Sequence, residues 1–233
     1  MKGRADYHIH SSVSDGVNSP EEIVDYVEKN TGLDVIAIAD HDSIKGGITA
    51  RDYALAKGYR VQVIPGEEIS TLRGHLVGLF ITKRIKRYTG LINTIKAIHG
   101  EGGICIVPHP LSWLTTSIGE SSFRRVMAHR DPDVYFDAVE LINPAVAGKI
   151  TDAKAKKLND QLWKLPVTGA SDAHDLEGIG TAYTLFKGKT AEEFKESIVK
   201  GTTDFGGRYW TFRENLGIFM KKAKKFKFFS KYY

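Results

Sequence analysis

Residues able to hold a metal ion recur along this chain at the ends of short apolar runs: His8 and His10, Asp40 and His41, Glu67 and Glu68, His75, His109, and Asp172 with His174. Imidazole and carboxylate together form a donor set suited to zinc, manganese or iron. In His8-Ile9-His10 the imidazoles are two residues apart, and on a strand side chains at that spacing point the same way, so both can reach one ion. Alone the pair is weak evidence, since His-x-His also arises by chance on a surface. Asp172-Ala173-His174 repeats the spacing with a carboxylate in place of one imidazole, while Glu68 and a His109 preceding Pro110 end two further runs. A core histidine donating to a backbone carbonyl accounts for any one of these. It does not account for six of the eight histidines. Crowding them with carboxylates at one place, with no ion, would bury like charges and unpaired acceptors at a cost on the order of several kcal/mol.

Such a cluster needs elements that carry residue 8 and residue 174 to one rim. Apolar segments at 5–10, 34–40, 61–68, 75–81, 103–109, 138–142, 166–172 and 181–186 have the length and composition of short buried strands. Helical patterns lie between several of them. Ser19-Pro20-Glu21-Glu22 starts one, with Ser19 as cap and Pro20 in the first turn, and Thr190-Ala191-Glu192-Glu193 starts another, with Glu193 three residues after its cap. Alternating strand and helix predicts an α/β domain with a mainly parallel sheet covered on both faces. The pattern is compatible with an open sheet or a closed barrel. In either, the carboxyl ends of the strands converge where sites are built.

His8-x-His10, Asp15 in Ser-Asp-Gly, Ala-Asp-His41-Asp, Pro-Gly-Glu-Glu68-Ile-Ser, His75, His109-Pro and Ser-Asp172-Ala-His174 together resemble the PHP family, named for polymerase and histidinol phosphatase. The match runs in the family's order over most of the chain, and the compact set looks most like the stand-alone phosphoesterases of that family. The resemblance implies a distorted seven-stranded β/α barrel with a metal site at the carboxyl ends of its strands. It implies two or three divalent ions: His8, His10, Glu68 and Asp172 on one, Glu68 bridging to a second held by His75 and His109, and Asp15, His41 and His174 on a third. Glu68 is preferred to Glu67 because the family's glutamate precedes an Ile-Ser-like pair and adjacent strand residues face opposite ways, which leaves Glu67 to support or packing. No ligand is replaced by an apolar residue, which favours an active site over a degenerate one.

The chemistry expected of such a centre is hydrolysis of a phosphate ester by metal-activated water, with Glu68, His109, Asp172 and His174 closest to the reaction. Lys45 and Arg73 are candidates to bind the substrate phosphate, or else solvated loop charges. Asp40 and Asp42 could orient imidazoles, and Asp42 could equally cap the following helix. His99 and His129 fall outside the strand-end pattern and are left out of the site.

At 233 residues, 42% hydrophobic and 26% charged, the chain suffices for one full core, expected over 1–212. A distinct basic and aromatic tail follows from 213 to 233, with Lys221, Lys222, Lys224, Lys225, Lys227 and Lys231 carrying more than the formal charge of +5. Such a tail suits phosphate contact with base stacking, an interfacial membrane contact, or a solvated amphipathic end. It favours nucleotides or short nucleic acids as substrates; no protein partner is readable. Histidinol phosphate is the alternative substrate, a metal-stabilised nucleic-acid-binding scaffold the alternative class, and a carbon–nitrogen hydrolase a more distant one. No long apolar run or leader pattern is readable, so the expected compartment is the cytoplasm. Cys105, alone in an apolar run, is expected to be a small buried hydrophobe.

Overall fold

The computed structural model describes residues 2–145, 148–211, 213–217 and 220. The tail charges from Lys221 to Lys231 lie outside the described residues. Seven strands form a barrel: β1 (Lys2–Ile9), β2 (Val35–Ile38), β3 (Gln62–Thr71), β4 (Gly74–Leu79), β5 (Ile104–Val107), β6 (Ala138–Ile142) and β7 (Val167–Gly169). They are hydrogen-bonded in chain order. Six run the same way; β4 is antiparallel to both β3 and β5.

The barrel closes where the chain leaving β7 meets β1. Ile9 pairs in parallel with Ala173; the His10 N–H donates to the Ala173 carbonyl at 2.8 Å, and the Ala173 N–H donates to His8 at 3.3 Å. Lower on the same seam, β8 (Ala182–Lys187) wedges in antiparallel to β1, and β9 (Asp204–Gly207) is added outside it. The seven-stranded barrel is thus present, distorted by one inverted strand and a split seam. The added strand β9, Asp-Phe-Gly-Gly, carries no apolar run and so gives no strand signal in the sequence.

Helices α1 (Pro20–Asn30), α2 (Lys45–Lys57), α3 (Leu91–Gly100), α4 (Glu120–Met127), α5 (Gly148–Leu158) and α6 (Ala191–Val199) surround the strands. Ser19 and Thr190 cap α1 and α6, each in a reciprocal capping box with the glutamate three residues on, as their sequences predict. Burial is on both faces of the sheet. Inside, Ala5, Tyr7, Ala37, Ile64, Ile106 and Ala138 fill the barrel, while Ile23, Val24 and Val27 of α1 cover one outer face. On the other, Phe123 of α4 stacks on Trp163 with ring centroids 3.7 Å apart, and Cys105 is buried as expected. Residues past β9 stay tied to the barrel: the Trp210 indole N–H donates to Thr181 Oγ1 at 2.9 Å and the Tyr209 hydroxyl to Asp152 at 3.1 Å.

The seam depends on one buried carboxylate. Asp6 accepts from the Ser171 N–H at 3.0 Å, the Ser171 hydroxyl at 2.6 Å and the Gly180 N–H at 2.8 Å. Burial pushes its pKa up to about 6 against those three donors. An Asp6→Ala variant leaves all three without an acceptor and is expected to lose on the order of 3 kcal/mol, read as a lowered urea midpoint at unchanged slope. An unchanged midpoint would show that the seam is held elsewhere.

Candidate metal centre

Most of the centre lies where the carboxyl ends of the parallel strands converge. His75 reaches the same rim from the amino end of β4, because that strand is inverted. A second irregularity serves His8. The register between β1 and β2 slips between Asp6 and Ile9, one extra residue on β1, and a bulge of this kind re-aims side chains. As a result two consecutive side chains, Tyr7 and His8, both reach Glu140 Oε2 at 3.3 Å.

Glu68 is the hub. It is 1% exposed, and five imidazoles surround its carboxylate. Oε2 lies 3.3 Å from His8 Nε2, 3.2 Å from His10 Nε2 and 3.2 Å from His41 Nδ1. Oε1 lies 2.7 Å from His75 Nδ1 and 3.1 Å from His109 Nε2. Asp172 Oδ1 completes one side at 3.2 Å from His10 Nε2 and 3.6 Å from His8 Nε2. On the open side, Asp15 lies 3.1 Å from His174 Nε2, 3.7 Å from His10 Nδ1 and 3.9 Å from His41 Nε2. All nine sequence-predicted ligands are therefore in one cluster; His8 and His10 are buried within it, and the other seven line a cavity of about 270 Å³ together with Leu114, Thr115 and Thr116.

Glu67 points the other way, with Oε2 accepting from the Ile85 N–H at 2.9 Å, in keeping with strand alternation. Lys45 and Arg73 are not among the residues lining this cavity: Lys45 is exposed on the first turn of α2, and Arg73, in the turn between β3 and β4, lines a neighbouring groove. Asp40 and Asp42 orient no imidazole. Asp40 instead ties down the loop that carries Asp15, accepting from the Ser11 N–H at 2.8 Å and from the Ser11 and Ser14 hydroxyls at 2.7 and 2.6 Å. Asp42 accepts from the Ser70 N–H at 2.9 Å, and α2 starts without a side-chain cap. His99 and His129 lie apart, bonded to Asp137 and to the Asp131 N–H.

The orienting role belongs to residues that strand-end reasoning passed over. Glu140, fully buried on β6, holds His8 Nδ1 and accepts from the His109 N–H at 3.1 Å and the Asn143 amide at 3.0 Å. Asn143 also donates to Asp172 Oδ2 at 3.3 Å, and the hydroxyls of Ser117 and Thr115 lie 3.0 and 3.1 Å from His109 Nδ1. The signal for Glu140 was a lone carboxylate inside the apolar run Ala-Val-Glu-Leu-Ile. Two of the candidate ligands also stand in left-handed backbone, His109 at φ 28° and Asp172 at φ 51°. Asp172 is held there by its pinned neighbours Ser171 and Ala173, a strained placement of the kind found at functional sites.

The donor set fits divalent metal ions. His8 Nε2 and both ring nitrogens of His10 are buried without a hydrogen-bond partner; the two Nε2 atoms converge on Glu68 and Asp172, and His10 Nδ1 faces Asp15. Burial alone would lower the pKa values of these two imidazoles. The carboxylates of Asp172 and Glu68 overcome it, holding His8 well above the ordinary histidine range and His10 up to about 9. Burial likewise opposes ionisation of Glu68, but His8, His10, His109 and His75 hold its carboxyl well below the usual range.

Comparison with known proteins agrees with this geometry. Residues 6–171 match the PHP domain and residues 153–203 the PHP-associated family, so the chain belongs to the PHP family. An uncharacterized protein of Methanocaldococcus jannaschii is 34% identical over 151 residues, 60% of this chain and 81% of that one. A 5'-3' exoribonuclease of Haemophilus influenzae is 41% identical over 108 residues, 45% of this chain but 38% of that one. The fold superposes, with a TM-score of 0.69 and 19% identity, on a two-domain protein of Bacteroides vulgatus containing a predicted PHP-like metal-dependent phosphoesterase, covering 95% of this chain and 70% of that one.

Two outcomes are expected. Because ligation requires neutral imidazole, metal uptake must displace the protons that Glu68 and Asp172 hold on His8 and His10. Apparent affinity should therefore rise with pH through the neutral and mildly alkaline range, in which His8 and His10, the latter up to about 9, would otherwise keep their protons. Calorimetric heats at pH 7 should depend on the ionisation enthalpy of the buffer; buffer-independent heats would contradict proton release. Replacing Glu140 with Gln is expected to weaken metal binding on the order of 10- to 100-fold in a competitive chelator titration, since that carboxylate fixes a ligand it does not replace.

Proposed function

We propose that the chain is a metal-dependent phosphoesterase that hydrolyses phosphate esters with a metal-activated water, nucleotides or oligonucleotides being its favoured substrates. The observation carrying this reading is the buried Glu68 carboxylate ringed by five imidazoles beside an open cavity. Family membership supports phosphoryl chemistry. The favoured substrate class draws on the name of the Haemophilus influenzae relative, which matches over only part of each chain.

In this reading His8, His10, Glu68 and Asp172 hold one ion, Glu68, His75 and His109 a second, and Asp15, His41 and His174 a third. Zinc, manganese or iron bound there would polarise phosphoryl oxygens and make a bound water acidic near neutral pH. The protein's own groups do the rest. Glu68 and Asp172 supply the buried negative charge that retains cations. The backbone carbonyl of Asp172, 2.8 Å from His174 Nδ1, turns the other ring nitrogen of His174 toward Asp15. Glu140 and Ser117 hold His8 and His109 so that their Nε2 atoms face Glu68. Thr116, at the cavity wall, offers a neutral hydroxyl to an incoming phosphate oxygen.

Protein reconstituted with zinc, manganese or iron is expected to hydrolyse at least one of p-nitrophenyl phosphate, bis-p-nitrophenyl phosphate, histidinol phosphate, mononucleotides and short oligonucleotides. Chelation should abolish turnover, and Asp172→Asn and His109→Ala should each lower kcat/KM on the order of 100-fold. Stoichiometric metal binding without turnover of any ester would replace this reading with that of a metal-stabilised scaffold.

A further inference from the structure

Beside the metal cavity runs a larger groove of about 540 Å³ that the chemistry above does not use. Arg73 and Arg125 line it with Asn93, Ser121 and Ser122, and no carboxylate is among its lining residues. Both arginines are exposed, and neither takes part in an ion pair among the described residues. The contrast within α4 is direct: Arg124, one position earlier, is tied to Glu120 at 2.6 Å. The groove's walls include the first turns of α3 and α4, neither of which carries a side-chain cap, so backbone N–H groups add to the positive potential of the arginines.

Two chain segments join this groove to the metal cavity. One is the start of β4, where His75 lines the cavity and Arg73, two residues earlier, lines the groove. Cα atoms two positions apart are separated by at most about 7 Å. The other is the loop after His109, whose Leu114, Thr115 and Thr116 line the cavity and whose continuation into α4 brings Ser121 and Ser122 to the groove. The segments are locked together: the His75 N–H donates to the Thr116 carbonyl at 2.9 Å, and a Cβ at Gly74, whose φ is 127°, would collide with the Ser117 backbone. On the same loop Trp113 is 66% exposed and Leu114 57%. Trp113 stands one residue before the cavity-lining Leu114, and an exposed indole there is a platform for a base, whereas a phosphate alone has no use for it.

We infer that the groove between α3 and α4 is a track for a single-stranded oligonucleotide. A phosphate lies at the metal cavity, neighbouring backbone phosphates lie along Arg73 and Arg125, and a base stacks on Trp113. The inference rests on the phosphoesterase reading for the identity of the cleaved bond. It also says why this site prefers a chain to a mononucleotide: the added binding comes from phosphates and a base that a mononucleotide lacks.

The test uses the full, metal-loaded chain carrying Asp172→Asn to stop turnover, with 5'-labelled seven-nucleotide RNA and DNA strands followed by fluorescence anisotropy and a mononucleotide as competitor. Adding Arg125→Gln or Arg73→Gln should lower the ratio of heptamer to mononucleotide affinity about tenfold and reduce the salt slope of heptamer binding by about one. Trp113→Ala should lower the same ratio about tenfold and leave the slope alone. Arg124→Gln, the paired neighbour outside the groove, should change neither. RNA and DNA responding alike would mark a backbone-and-stacking track, and a loss confined to RNA would show a track that also contacts the 2'-hydroxyl. Ratios and slopes that stay at the parent values with both strands overturn the proposal, even where Asp172-dependent ester hydrolysis is intact. Lost oligonucleotide affinity in a chain that hydrolyses no ester would instead retain the track and remove the phosphoesterase reading.

Discussion

The carboxylate of Glu68 can be buried among five imidazoles because each side of the arrangement needs the other. A lone carboxylate at 1% exposure would be driven neutral, and five imidazoles in one dry space would repel as soon as more than one held a proton. Opposed, they keep each other polar, with Glu68 ionised and His8 and His10 protonated in the absence of a better cation. The surrounding structure is organised to hold the imidazole nitrogens 2.7 to 3.3 Å from the Glu68 oxygens. The bulge in β1 turns His8 inward, the inversion of β4 delivers His75 to the rim, and the left-handed backbone at His109 and Asp172 sets the approach of their side chains. Glu140 then spends its own buried charge on orienting two histidines, using no oxygen on solvent.

This arrangement explains which parts of the molecule could be read from the order of residues. Strands β1 to β8 show themselves as short apolar runs, and α1 and α6 announce their starts through Ser19 and Thr190, because those signals are local. The candidate ligands were legible for a similar reason: polar residues that end buried strands are conspicuous, and the folded chain gathers them around Glu68. The direction of β4 was not legible, since an apolar run has the same composition in either sense; only the two-residue turn Leu72-Arg73 enforces the antiparallel pairing.

Supporting groups were harder still to anticipate. Glu140 and Asn143 act through contacts to residues 8, 109 and 172, separations that no local pattern encodes. Asp40 and Asp42, adjacent to His41 in sequence, were natural candidates to orient it, yet they serve Ser11, Ser14 and Ser70, because the chain has left β2 by this point and turns, with Asp42 at φ 51°.

The barrel's seam and the metal cluster occupy the same few residues. Ile9 and Ala173, which close the barrel, lie between His8 and His10 on one side and between Asp172 and His174 on the other. An ion held by His8, His10 and Asp172 would therefore straddle the joint between the first and last strands of the barrel, separated by more than 160 positions in the chain. Ligation and closure become one linked equilibrium: every opening of the seam must first surrender the ion, and free metal in excess of its dissociation constant holds the seam shut by mass action. A cation bound there would be a clasp as well as a reagent, and the supply of metal would set the fraction of chains whose barrel is closed.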